Sequence, residues 1–252
     1  MKFYAMVSNT DTYLDNAKKQ YKIWKKSPKK YSKSVSDIIK IFNLKDENKF
    51  QTKKSPKYWA GDIHLNPKFI IVSLNPGDAK IRKIRRPSDS KGWDAYMENR
   101  KNWFTTKHFQ KSPYWKTNYK LVRGMNNGPE EEMNGEYILK NVLNLNLFPY
   151  HSNESTGFPS KFTVKQLKVI LDHLVLLFDL IAEKKPKYCF FNGKVWETLL
   201  IEHKLIDVKF SKKNTKFTNR KGVNFGMYFG KKGKTRYVLF SKFLSSTGHY
   251  GV

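Results

Sequence analysis

The chain is poor in cysteine and, in its last fifth, empty of acids. Cys189 is the single cysteine in 252 residues, which excludes a disulfide scaffold, a four-ligand zinc finger and a cysteine-held iron–sulfur cluster. No run of about 18 apolar residues occurs, so no bilayer-spanning helix is expected. Met1–Thr10 lacks a basic stretch followed by an apolar core and a small-residue cleavage site, so no secretory leader is expected and the expected location is the cytoplasm. No Asp or Glu follows Asp207. Clustered carboxylates are missing too: Asp62, His64 and Asp78 are scattered along the chain, which argues against a metal-dependent nuclease. No metal and no other cofactor is expected.

What is present is positive charge. Forty-nine Lys and Arg against 21 Asp and Glu leave a net charge of +28, far above what solubility requires of a small domain. A surface of this kind fits a polyanion. Nucleic acid is the expected partner; no membrane and no obligate protein partner are expected. Lysine pairs such as Lys25-Lys26, Lys29-Lys30 and Lys231-Lys232 also have a plainer reading as lysine-biased composition. A hydrophobic content of 39% with 15% aromatics marks a folded chain despite the charge.

Residues 1–60 read as a basic helical or extended arm docked on the body by Tyr21, Trp24 and Tyr31. Val35, Ile38, Ile39, Ile41 and Phe42 have helical spacing. Residues 61–252 read as one α/β unit. Lys68–Leu74 is a continuous apolar run, as a strand covered on both faces requires. Asn141–Phe148 and Tyr188–Phe191 are further strands. Trp93–Phe104, Glu130–Lys140 and Val195–His203 read as helices, and Phe162–Lys185, closed by Pro186, as the longest. Its apolar positions, like Cys189, are assigned to the core. Val223–Phe229 and Arg236–Leu244 form a hairpin around Gly230–Gly233. Strands separated by helices predict an α/β fold: a three-layer α/β/α sandwich with a central, mainly parallel sheet.

Ligands of open α/β sheets bind at the carboxyl ends of strands. Here those ends carry Ser73-Leu-Asn-Pro-Gly77, Asn146-Leu-Phe-Pro-Tyr-His-Ser152, Asn192-Gly-Lys194 and Ser245-Ser-Thr-Gly-His249. Each alone is a plausible turn. Their order on a parallel α/β pattern resembles the uracil-DNA glycosylase superfamily, over about residues 65–250. The first loop resembles the Gly-x-Asn-Pro-Gly motif of the mismatch-specific and single-strand-selective branches. Asn146-Leu-Phe-Pro-Tyr150 is similar to the strand end whose Asn reads the pyrimidine. Tyr188–Lys194 is similar to the apolar strand that ends in Gly-Lys. Ser245-Ser-Thr-Gly248 stands where the family has His or Asn followed by Pro-Ser-Gly. The chain departs from the pattern at Ser73, which replaces a glycine, and at Ser245-Ser246, which remove the usual histidine.

The resemblance implies a monofunctional DNA glycosylase, a hydrolase that flips a nucleotide into a pocket and cuts its N-glycosidic bond. Asn75 would place the attacking water, with Asp78 as a possible base; the plainer reading of Asp78 is a helix-terminal acid or a partner of Arg82. His151 or His249 would stabilise the departing base. Ser73, Leu74, Gly77, Asn146 and Phe148 would form the base pocket, with Asn144, on the same strand face as Asn146, as the alternative reader. Lys242, Ser245, Ser246, Thr247, Gly248 and Tyr250 would meet DNA, and Tyr250 would fill the gap left by the flipped base. The uracil-strict branch has a tyrosine where Gly77 stands. The glycine leaves the pocket open at the pyrimidine 5-position, and the insert Asp78–Asn127 would line it. 5-Modified pyrimidines, such as those of phage DNA, become candidate substrates, and antiviral defence becomes a role beside repair. The competing reading is the same fold with a degraded site that binds nucleic acid without chemistry.

Overall fold

The computed structural model describes residues 8–44, 50–76, 89, 91–125, 134–152, 159, 161–218 and 224–240. Its centre is set by three short apolar strands: β2 (Phe69–Ser73), β3 (Val142–Asn146) and β4 (Tyr188–Asn192), every residue of which is buried. They do not alternate apolar with polar because both faces are covered. Ile70, Val72, Leu143, Leu145, Cys189 and Phe191 enter one hydrophobic cluster. Phe69, Ile71, Val142, Tyr188 and Phe190 enter a second.

The first cluster is closed by α1 (Asn9–Lys26), α2 (Pro28–Ile41) and α7 (Val164–Lys184). Tyr13, Ala17, Tyr21, Tyr31 and Val35 dock the first two helices. Within the arm expected over residues 1–60, Asn9–Lys26 and Pro28–Ile41 form a helical hairpin packed into the main core. α7 starts on a capping box: the Thr163 hydroxyl accepts from the Gln166 amide, and the Gln166 side chain accepts from the Thr163 amide. It ends where Lys185 turns left-handed ahead of Pro186. The second cluster is closed by α4 (Lys107–Lys111), α5 (Pro113–Gly124) and α6 (Gly135–Asn141). α3 (Trp93–Lys101) runs on as a 3-10 turn, Asn102–Thr105. After β4 come a short α8 (Lys194–Glu197) and a π turn, Thr198–Glu202.

Seven strands form one mixed sheet in the order β1-β3-β2-β4-β7-β6-β5. The four middle strands, β3, β2, β4 and β7 (Thr235–Phe240), are parallel. β1 (Trp59–Ala60) lies antiparallel to β3; β6 (Asn224–Lys232) and β5 (Ser211–Thr218) extend the other side as antiparallel strands. The fold class is therefore α/β with a single mixed sheet whose centre is parallel. The hairpin of β6 and β7 turns at Gly233, whose φ of +58° is left-handed.

Two parts of this architecture depart from the sequence reading. β5 was not expected, because an edge strand reading Ser-Lys-Lys-Asn-Thr-Lys has no apolar alternation; charge on an edge strand discourages pairing with another chain. α4 and α5 were not expected either. Their signals are capping hydroxyls, Thr106 accepting from the Phe109 amide and Ser112 from that of Trp115. The helix expected to start at Glu130 starts at Gly135, where the Asn134 side chain accepts from the amides of Glu136 and Tyr137; residues 126–133 lie outside the described set.

Candidate functional site at the carboxyl ends of the parallel strands

From β2 the chain crosses to β3 on one side, then to β4 on the other side of β2. Connections therefore diverge between β2 and β4, the place where an open α/β sheet leaves a crevice at its carboxyl edge. Strand periodicity puts Ser73, Asn144, Asn146 and Asn192 on the face of Phe69, Val142 and Phe190, and the register sets Ser73 beside Asn146. Four polar side chains thus replace apolar ones on one face, within three adjacent strand ends.

These side chains are linked into a chain of hydrogen bonds whose directions follow from proton counting. The Ser73 hydroxyl donates to Asn144 Oδ1 at 2.8 Å, so its contact with the Tyr114 hydroxyl at 2.6 Å takes the Tyr114 proton. Asn192 Nδ2 donates to the Tyr114 oxygen at 3.2 Å and to Asn118 Oδ1 at 3.4 Å. Onward, Asn144 Nδ2 donates to Asn146 Oδ1 at 3.4 Å, and Asn146 Nδ2 to the Lys57 carbonyl at 2.9 Å. The order Asn192, Tyr114, Ser73, Asn144, Asn146, Lys57 therefore runs one way, amide to carbonyl. Burial raises the Tyr114 pKa, only partly offset by its bonds to Ser73, Asn192 and Asn118, so the hydroxyl keeps the proton the chain needs. Replacing Tyr114 with Phe interrupts it in the middle. The expected cost is about 1–3 kcal/mol, that of stranding buried polar groups, read as a lower denaturant midpoint with an unchanged slope.

Asn75 lies two residues beyond β2 and is held by the β3 loop. Its Nδ2 donates to the Tyr150 carbonyl at 3.2 Å and to Ser152 Oγ at 2.7 Å. Its Oδ1 is buried and has no hydrogen-bond partner among the described residues; Asn192 Oδ1 is in the same state. The β2 and β3 backbones stay paired past the strands, with the Leu147 amide on the Ser73 carbonyl at 2.9 Å and the Phe148 amide on that of Leu74 at 2.8 Å. This pairing carries Ser152 to the Asn75 side chain, and His151, between the two Asn75 partners in sequence, is buried.

Of the expected site residues, the structure puts Ser73 and Asn146 in one hydrogen-bond chain and ties Asn75 to the loop that carries His151. It does not bring the side chains of Leu74 and Phe148 to these groups. Both are buried in the cluster under α1, α2 and α7, and the Phe148 ring packs against Phe42 and Phe50 at 5.1 and 5.3 Å. Strand alternation turns Leu74 away from the polar face, whereas Phe148 lies beyond the end of β3, where Leu147 and Phe148 both enter the core; the place of both in a base pocket is corrected to a place in the core. Asn146 and its alternative Asn144 spend their amides on the internal chain. Gly77, Asp78, Lys242, Ser245, Ser246, Thr247, Gly248, His249 and Tyr250 lie outside the described residues.

Tyr114, Asn118 and Asn192 were missed as site residues. Asn192 carried a signal, a polar residue closing an apolar strand. Tyr114 and Asn118 carried none, since only the packing of α5 brings them to the strand ends. His173 of α7 was also read as plain core. Its Nε2 lies 3.0 Å from the Asn146 carbonyl, between the rings of Tyr13 and Tyr58. Burial lowers its pKa despite that bond, so it buttresses the β3 end as a neutral ring.

Comparison of the sequence with protein-family models and with curated proteins finds no match. Among the described residues no helix is long and apolar enough to cross a membrane.

Proposed function

We propose that the chain is a DNA glycosylase with the three-layer fold of the uracil-DNA glycosylase superfamily, releasing a damaged or modified pyrimidine and leaving an abasic site. The observation that carries this reading is the pair of buried amide oxygens with no hydrogen-bond partner among the described residues, Asn75 Oδ1 and Asn192 Oδ1, at neighbouring strand ends beside the switch in connection direction. An unsatisfied buried acceptor costs stability. A site that binds a donor recovers that cost when its ligand arrives.

Asn75 Oδ1 would accept a proton of the attacking water, in an orientation set by the bonds of its Nδ2 to Tyr150 and Ser152. An amide is a weak base, so the reaction relies on stabilising the oxocarbenium-like sugar and the departing base. His151, in the loop that holds Asn75, is the described candidate for the second task. Asn192 Oδ1 would accept from a base N–H, the role expected of Asn146, whose amide is already engaged. The insert between β2 and β3 supplies Tyr114 and Asn118 to the same network, which supports the view that it builds the pocket wall. The resemblance sets Gly77 at the pyrimidine 5-position, so 5-modified pyrimidines are accepted beside uracil, and attack on modified phage DNA is the cellular role that fits them. The protein acts without a cofactor, on DNA, in the cytoplasm.

A base-release assay tests this. Labelled oligonucleotides carrying uracil, a thymine mismatch or 5-modified cytosines are incubated with the protein, then treated with alkali to reveal abasic sites. Alkali-labile sites on at least one substrate are expected. None on any substrate, with tight binding retained, would favour the non-enzymatic nucleic-acid binder, a reading that Ser73's full commitment to Tyr114 and Asn144 supports.

A further inference from the structure

Six lysines that are separate in sequence lie at one corner of the molecule, where two helices meet a loop. From Asn16 to Ser36 the chain contains eight lysines and no acid, and from Phe50 to Gly61 it again contains no acid. α1 ends at Lys26 and α2 begins at Pro28, so Lys25, Lys26, Lys29 and Lys30 lie within one turn of the Ser27 junction, all exposed. The loop with Lys53 and Lys54 is fastened to the same corner: Trp24 Nε1 donates to the Lys53 carbonyl at 3.3 Å, and the Tyr31 hydroxyl to the Lys54 carbonyl at 3.4 Å. Lys22 and Lys33 flank the corner as further exposed cations, and Lys57 closes the loop beneath the Trp103 ring.

The corner is also tied to the candidate site. The Tyr31 ring meets the Tyr150 ring at 6.2 Å, and the Tyr150 carbonyl holds Asn75. The Gln51 amide donates to the His151 carbonyl at 2.7 Å, and the Lys57 amide to the Pro149 carbonyl at 2.6 Å. These contacts join the corner to the loop that holds Asn75. Like charges held together on rigid helices repel one another, an arrangement that a polyanion relieves.

We infer that the α1–α2 corner, with Lys25, Lys26, Lys29, Lys30 and Lys53, is a phosphate-backbone clamp that grips nucleic acid beside the site. The inference rests on the reading of the chain as acting on DNA, but not on its chemistry. Such a clamp supplies affinity without sequence preference. Each phosphate contact it makes adds about 0.9 to the slope of log affinity against log salt on duplex DNA.

The test compares the wild type with a corner variant, Lys25→Gln, Lys26→Gln, Lys29→Gln and Lys30→Gln together. A control variant removes the same charge from exposed lysines elsewhere, Lys161, Lys165, Lys168 and Lys185. Binding to a 20-base-pair duplex is titrated across salt concentrations. The corner variant is expected to lose about two to four units of slope, and the control variant less than one. Equal losses in both variants would overturn the inference, leaving general charge attraction. So would wild-type binding to phosphatidylserine vesicles without binding to DNA, which would make the corner a lipid surface. If no base is released but the corner variant alone loses its slope, the clamp stands and the glycosylase reading falls.

Discussion

Replacing Asn75 with alanine is expected to cut base release by about 10²–10³-fold, the loss seen when one preorganised polar group is removed from a reacting centre, while leaving stability within about 1 kcal/mol of the wild type. The two effects separate because of how the side chain is bonded. Removal forfeits the donations from Nδ2 to Tyr150 and Ser152, each worth about 0.5–1.5 kcal/mol. It also removes a buried acceptor with no partner among the described residues, which relieves a penalty of about 1–3 kcal/mol. A structural asparagine would show the opposite pattern, a clear drop in melting temperature with activity lost only in proportion to unfolding. Single-turnover rates beside thermal melts decide between them. A variant that melts as the wild type does and still releases base at the wild-type rate removes Asn75 from the mechanism. Ser152→Ala, which frees the Asn75 amide to rotate, should give a smaller loss in the same direction.

The largest expected effect on stability lies at Asp89. Its carboxylate accepts from Ser55 Oγ at 2.7 Å and Asn99 Nδ2 at 2.9 Å, and Arg100, itself buried, lies 3.6 Å away. The Asp89 carbonyl accepts from the Tyr21 hydroxyl at 2.7 Å, so the group joins α1, α3 and the Ser55 loop. Burial alone would raise its pKa; Arg100 and Lys57, with the bonds from Ser55 and Asn99, outweigh burial and hold it below the ordinary carboxylate value. Asp89→Asn leaves the Arg100 guanidinium buried without its counter-charge, and is expected to cost about 3–5 kcal/mol. In a chain of this size that lowers the melting temperature by roughly 10 °C. Asp89→Asn with Arg100→Met should lose less than the two single changes added together.

The same group gives a pH dependence of known sign. Because the folded pKa is depressed, the contribution of Asp89 is fully present above its unfolded value of 3.8. It is lost as pH falls through the lower folded value. The wild type should therefore lose stability more steeply than Asp89→Asn in acid, and equal slopes there would contradict the assignment.

Much of the architecture was legible from local rules. An apolar run as dense as Phe69–Val72 has no use except as a strand covered on both faces, and Val164–Lys184 repeats its apolar positions too regularly to be anything but a long helix. The loop residues Asn75 and His151 stood out because polar segments follow apolar strands; Asn192 closes β4 with the same signal and was passed over. The chain's charge and its single cysteine were enough by themselves to bound the classes of function. What the sequence could not express was which distant residues share a place. Lys107–Gly124 has helix caps but weak periodicity, because its aromatic residues pack around the 3-10 turn instead of along one stripe. Tyr114 and Asn118 therefore reached the strand ends unannounced. Phe148 looked like a pocket residue from its motif, yet it lies past the end of β3, where the chain leaves the pleat and Phe42 and Phe50 take its ring into the core. Lys25-Lys26 and Lys29-Lys30 could be read as biased composition alone, until Trp24 and Tyr31 bound the Lys53–Lys54 loop beside them across the chain. Sequence determined the elements, the charge and the strand-end polar residues, because these depend on neighbours along the chain. Tertiary packing alone decided the direction of the hydrogen-bond chain, the unsatisfied oxygens and the clustering of charge, because those depend on groups far apart in the sequence.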